Sequence, residues 1–250
     1  MQWRACFAAF LLAGVTAGAQ STSVMIDDLT TTEVQAAIAA GKTTALFYVG
    51  GSHQNGEGVA IGKHNYVANH VARRVAEELG DALVIPPSPY APAGDPVKKT
   101  GHMRFPGTVS VSAEALALIS RDVTLSALAA GFKYVMFLGD HGETQPTLKK
   151  VAAELDAEWA PRGSRIFFIP VYEEGEAAFQ NHLKKMNVPA NLHTPIDDAA
   201  ELLALDGKRL VRPDKLKPEI ASVASASLGK MFLDNKVRLA VASIRKQRGR

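Results

Sequence analysis

Apolar positions along this chain follow two rhythms, short β-prone runs alternating with longer stripes at helical spacing. Thr43 to Val49, Leu83-Val84-Ile85, Tyr134 to Leu138 and Ile166 to Val171 are rich in β-branched and aromatic residues, as strands require. The last is apolar throughout, as expected of a strand covered on both faces. Helical patterns lie between them. Thr30-x-x-Glu33 forms a capping box that opens a helix through Ala40, with Gly41 as its stop. From Tyr66 to Leu79, Val67, Val71, Val75 and Leu79 make one buried stripe. Ala113 to Ala130 and Pro146 to Trp159 are two further helices, the second with Thr144 as a possible N-cap. Beyond Glu173 the pattern weakens. Residues to Ala200 are mixed polar, a short helix covers Asp198 to Leu205, and Ile220 to Arg245 forms a final helix or a pair of them. The β-α-β-α-β-α-β order predicts an α/β fold: a single-domain, mostly parallel β-sheet over residues 24–250, flanked by helices on both faces.

Three interruptions of this pattern carry polar chemistry. Leu138-Gly139-Asp140-His141-Gly142-Glu143-Thr144-Gln145 is a strand-to-helix turn holding one imidazole and two carboxylates. In a parallel sheet such turns lie at the carboxyl edge, where sites gather. His141 and Glu143 can reach one cation there, although the same octapeptide also reads as a polar turn whose Asp140 caps the next helix. The glycine-rich loop after the first strand supplies His53, Asn55 and His64 and emerges at the same edge. Finally, the proline-rich stretch from Pro86 to Thr108 is too long for an idle connection, and marks a functional loop or an oligomer contact.

These motifs resemble one known family. Gly51-Ser52-His53-Gln54-Asn55-Gly56 resembles the first metal loop of the creatininase (creatinine amidohydrolase) family. Gly101-His102-Met103-Arg104-Phe105-Pro106-Gly107-Thr108 resembles that family's stretch ending in Phe-Pro-Gly-Thr. Gly131-Phe132 and Gly139-Asp140-His141-Gly142 resemble its Gly-Phe strand and its Asn-Gly-His-Gly-type turn, and His193 to Leu202 is similar to an eroded His-Ala-Gly-x-x-Glu-Thr-Ser segment. The resemblance covers residues 28 to 206, with the motifs in order. It implies a creatininase-like α/β metallohydrolase, commonly hexameric, in which two divalent ions activate a water that attacks an amide carbon.

Carried over by position, His53 stands where the family has Glu, Asn55 where it commonly has His, and His64 where it has a bridging Asp. His141 matches directly, Glu143 falls where creatininase itself has a liganding Glu, and Asp198 falls on the late carboxylate. An imidazole cannot bridge two ions as a carboxylate can. The expectation is therefore a single divalent ion held by His53, His64, His141 and Glu143, with Asp140 as a further ligand, a helix cap or a support for His141. Imidazoles with one carboxylate suit zinc, with manganese as the alternative. Glu143 or Asp198 shuttles protons, and His102 or His193 contacts the developing oxyanion. Two other features are given solvated roles, namely the side chains of His70 and His182 and the acidic run Glu173, Glu174 and Glu176.

Composition adds bounds. The formal charge of +3 comes largely from Arg245, Lys246, Arg248 and Arg250, a solvated tail rather than a nucleic-acid surface. Arg4 precedes an apolar run to Ala17 that ends Ala17-Gly18-Ala19, so residues 1–19 read as a cleaved export signal. Cys6, the sole cysteine, lies in that signal, and any metal site must use His and carboxylates. The expected protein is a periplasmic or secreted homo-oligomer, free of the membrane after signal cleavage, hydrolysing a small cyclic or linear amide. Its rivals are a degenerate family member serving as a binding or assembly module, and a metallopeptidase-like relative.

Overall fold

A computed structural model describes residues 23–249; the expected export signal with Cys6 lies outside the described residues. Four strands, β1 (Thr44–Val49), β2 (Ala82–Val84), β3 (Tyr134–Gly139) and β4 (Arg165–Phe168), form a wholly parallel sheet in the order β2-β1-β3-β4. β1 and β3 run side by side from Thr44 opposite Tyr134 to Val49 opposite Gly139. Their carboxyl ends therefore coincide, and the glycine-rich loop and the Asp140-His141 turn leave the sheet next to each other.

The two faces of the sheet build two cores. Ala45, Phe47, Val49, Val135 and Phe137 pack against α3 (Ala113–Ala130) and α4 (Gln145–Trp159). Leu46, Tyr48, Met136 and Leu138 pack against α2 (Lys63–Leu79) and α8 (Ala226–Gln247). That is the two-residue alternation of strands read onto helices on both sides. The capping box at Thr30 closes as expected, its hydroxyl accepting from the Glu33 amide at the start of α1 (Thr31–Ala39).

The carboxyl-terminal third departs from the sequence reading. The mixed polar stretch is two long helices, α5 (Val171–Lys185) and α6 (His193–Leu210), followed by the single turn α7 (Pro218–Ala221). α5 buries Val171, Gly175, Phe179 and Leu183, a four-residue spacing hidden among charged neighbours. Together with α8 these helices enclose a third core in which the Phe179 and Phe232 rings stack 4.3 Å apart. α6 is kinked at Asp206, whose φ of −162° and ψ of 69° break the helix. Thr144 stands at the N-cap position of α4 as expected, but its side chain does not cap the helix: its hydroxyl donates to the His141 carbonyl at 2.6 Å. α2 begins a turn earlier than its apolar stripe, because the side chains of Lys63 and His64 are themselves buried and paired.

α6 and α8 touch at Gly229, where a Cβ would stand 1.8 Å from the Ala200 carbonyl oxygen. Only a bare backbone permits that approach. Gly229→Ala is expected to destabilise the protein by about 3 kcal/mol, the upper range for overpacking. Urea unfolding is the check: a lower midpoint at unchanged slope is expected, and an unshifted midpoint would show that the helices part without resistance.

Candidate metal centre

Each element of the site is delivered by a differently pinned segment. The loop after β1 is closed by the His53 amide donating to the Ile61 carbonyl at 3.0 Å. It is anchored to α2 by the Gly51 amide donating to Asn65 Oδ1 at 2.9 Å, and by Asn65 Nδ2 donating to Ser52 Oγ at 3.0 Å. Asn55 spends its side-chain amide on the His53 carbonyl. The long proline-rich segment turns through a short 3-10 helix, Gly101–Arg104, which carries His102. His102 is held at both ends, its amide on the Ala93 carbonyl and its carbonyl accepting from the Thr108 hydroxyl. The segment folds this tightly because Gly94, at φ +117°, would put any Cβ 2.1 Å from the Thr100 carbonyl oxygen. His141 follows β3 directly, its carbonyl fixed by Thr144 Oγ1 and by Gln145 Nε2 at 2.8 Å.

These three imidazoles converge. The rings of His53 and His102 are 4.0 Å apart between centroids, those of His53 and His141 4.5 Å, and those of His102 and His141 5.9 Å. One ring nitrogen from each lies within 4.8 Å of the others. Burial, reinforced at both sites by the neighbouring imidazoles, pushes His53 down to about 4 and His141 to about 3. Both are neutral at pH 7. The Nδ1 of His53 stands 3.0 Å from the Gln54 carbonyl and therefore carries the proton, which leaves Nε2 as a bare lone pair. That Nε2 and the Nδ1 of His141 are buried with no hydrogen-bond partner. Buried ring nitrogens without a partner are costly, and a bound cation would satisfy those that carry a lone pair. Three imidazoles with ring nitrogens gathered this closely are the donor set of a divalent transition ion, and a divalent metal fits these residues.

His64, expected as a metal ligand where His102 is expected only as an oxyanion contact, lies near the cluster, 4.7 Å from His53 and 5.3 Å from His141 between centroids. Its Nδ1 is occupied by Asp140 Oδ2 at 2.9 Å. Asp140, fully buried, also accepts from Lys236 Nζ at 2.8 Å through Oδ1 and lies 3.6 Å from Lys63 Nζ. Burial alone would raise its carboxyl. Lys236, Lys63 and His64 overcome that and hold it far below the carboxylate range. Asp140 thus neither caps the next helix nor has an uncommitted oxygen; it braces His64 from beneath.

Of the remaining expected residues, Glu143 sits exposed on the wall of a cleft of about 730 Å³ that the three imidazoles also line. Asp198 lines the same cleft but is buried, 3.1 Å from Lys63 Nζ. Burial lifts its carboxyl to about 6 against the pull of Lys63. The neighbouring Asp197 is raised well above the usual carboxylate range by burial and by Asp198. His193 opens α6. Glu173 and Glu174 are exposed in the first turn of α5, whereas Glu176 faces the cleft. His182 is exposed, but His70 is half-buried against Arg74 and Asp234 rather than solvated, and burial lowers its pKa.

Three residues under the site escaped the sequence reading: Lys63, Lys236 and Glu201. Lys63 and Lys236 are 2.8 Å from opposite oxygens of Glu201, and all three are buried. A signal was present for Lys236. It interrupts the stripe of Leu233, Val237, Ala240 and Val241 along α8, where a lone charge must have a buried partner.

Comparison with known proteins bears on the fold and the family. The family model described as creatinine amidohydrolase matches residues 27–243. The chain is 30% identical over 123 residues to the creatinine amidohydrolase of Pseudomonas putida, covering 49% of this chain and 46% of that one. It is 32% identical over 126 residues to the mycofactocin precursor peptide peptidase of Mycolicibacterium smegmatis, covering 46% of this chain and 48% of that one. The chain thus spans about half the length of the curated relatives it matches. A solved creatinine amidohydrolase superposes with a TM-score of 0.72 at 20% identity, over 91% of this chain and 98% of the other. A creatininase variant in a zinc–zinc form superposes at 0.71 and 21% identity, over 91% and 99%. The sheet, the layers and all three imidazole-bearing segments fall inside the matched range, and the chain belongs to the creatininase family.

Proposed function

We propose that this chain is a metal-dependent hydrolase of an amide carbon–nitrogen bond in a small molecule, working with one zinc ion held by His53, His102 and His141. Manganese is the alternative metal. The observation that carries the reading is the convergence of three imidazoles, two of them with buried nitrogens left unpartnered. Relative to the sequence expectation, His102 stands with His53 and His141 in the group whose ring nitrogens lie within 4.8 Å of one another, while His64, held through Nδ1 by Asp140, keeps its Nε2 free to support that centre. Bound there, a divalent ion supplies Lewis acidity toward water and an amide carbonyl.

The chain's own residues supply the rest. His53 keeps its proton on Nδ1, against the Gln54 carbonyl, and so offers Nε2 to the centre. Asp198, with a carboxyl near 6, takes a proton from the attacking water and passes it to the departing nitrogen. Glu143 and Glu176 on the cleft wall favour substrates bearing positive charge or several N–H donors. The cleft, at about 730 Å³, is roomy for a single small ring, which favours a second reading in which peptide ends are also accepted. The peptidase among the relatives agrees with that extension.

Protein purified without chelator is expected to carry about one zinc per chain and to hydrolyse members of a panel of cyclic amides, linear amides and short peptides. His141→Ala is expected to lose the ion and to fall in kcat/KM by roughly a thousandfold, since several kcal/mol of transition-state stabilisation leave with the ion. Equal activity in the two proteins, or metal-free wild type, would overturn the assignment and leave a binding module on the family fold.

A pH–rate profile tests the proton shuttle. A carboxyl raised to about 6 is a carboxylate only above that pH, so the rate is expected to decline as pH falls through about 6. Asp198→Asn is expected to lower kcat by about 10²- to 10⁴-fold and to erase this acid limb. An acid limb that persists in the variant would remove Asp198 from the mechanism.

A further inference from the structure

Four carboxylates crowd beneath the cleft: Asp140, Asp197, Asp198 and Glu201, all of them buried. Clustered carboxylate oxygens are what a hard divalent cation seeks. In this chain positive charge is already in place. Lys63 Nζ lies 2.8 Å from Glu201 Oε2, 3.1 Å from Asp198 Oδ1 and 3.6 Å from Asp140 Oδ2. Lys236 Nζ lies 2.8 Å from Asp140 Oδ1 and 2.8 Å from Glu201 Oε1. Lys63 is 1% exposed, yet it lines the cleft alongside the three imidazoles. Its three donors face three carboxylates, as a coordinated ion would. Asp140 links it to His64, which holds Oδ2 of the same carboxylate.

We propose that Lys63 is a built-in cation standing in place of a second metal ion, limiting the centre to one ion while holding Asp140, Asp198 and Glu201 where an ion would otherwise gather them. The argument is one of charge and space. A further divalent ion among these acids would sit within a few ångströms of two fixed ammonium groups, in an interior where like charges repel strongly. An ammonium of fixed reach also cannot be lost to a chelator, so the acids keep their places when the imidazole site is stripped. The inference rests on reading the three imidazoles as a metal centre. It adds that Lys63 sets the stoichiometry and the residence of the neighbouring acids.

The test is elemental analysis of wild type, Lys63→Arg, Lys63→Ser and Lys63→Ser/Asp198→Asn after saturation with Mn²⁺ and desalting, with circular dichroism to confirm folding. The expected counts are about one ion per chain in wild type and Lys63→Arg, about two in Lys63→Ser, and about one again in the double variant. Lys63→Ser is also expected to gain thermal stability on adding Mn²⁺ by more than wild type does, because the ion replaces the missing charge. Two ions in saturated wild type, a count that does not depend on any variant folding, would overturn the proposal. So would one ion in folded Lys63→Ser. His53→Ala separates the two readings: its loss of the single ion upholds the imidazole centre whatever Lys63 does, whereas wild type and His53→Ala both free of metal would bring down that centre and this inference with it.

Discussion

Everything above the sheet depends on the burial of Asp140 between two lysines. A carboxylate with no exposure is costly unless its charge is answered. Here Lys236 answers from α8, Lys63 from α2, and His64 takes the remaining place on Oδ2. Glu201, from α6, closes the arrangement by pairing with both lysines. Three helices and the end of the central strand β3 are thereby fixed relative to one another by charge as well as by packing. Such a network is a poor source of net stability compared with a well-packed apolar core of equal volume. Its value is positional, since removing any one member strands the others, and the helices cannot slide.

That frame explains why the imidazoles meet. His141 follows Asp140 directly, so anchoring the carboxylate anchors the turn, with Thr144 and Gln145 gripping its carbonyl from the other side. His53 descends from the neighbouring strand, whose carboxyl end is in register with that of β3. His102 comes from far along the chain on a loop whose shape is set by backbone contacts at Gly94 and Ala93. Nothing in this assembly requires the imidazoles to be close in sequence. A parallel sheet gathers loops at one edge, and the edge does the gathering.

How much of this was legible beforehand follows from the same physics. Local signals are readable: the capping box at Thr30, the strand that ends at Gly139, and the helix from Ala113 to Ala130, which begins and ends where its pattern does. α5 was missed because its buried positions, Val171, Gly175, Phe179 and Leu183, include a glycine and are diluted by charged residues on the open face. The gathering of imidazoles was foreseeable from strand order, but the choice among them was not. The sequence does not say that His102, on the proline-rich segment, joins His53 and His141, nor that His64 leans on Asp140 from 76 positions away. Lys63 and Glu201 are hidden for a related reason, whereas Lys236 betrays itself by breaking the apolar stripe of α8. The first two look like ordinary surface charges until the helices carrying them are brought together.

The chain has one cysteine, Cys6, and none in the described residues, so no disulfide can fasten the loops above the sheet. His53, His102 and His141 belong to three separate loops. A cation gripped by all three is a removable rivet through the top of the molecule, and any affinity for it is simultaneously a contribution to keeping the proline-rich loop shut. Stripping the ion would then loosen that loop first, while the sheet beneath, clamped by its lysines, stays whole.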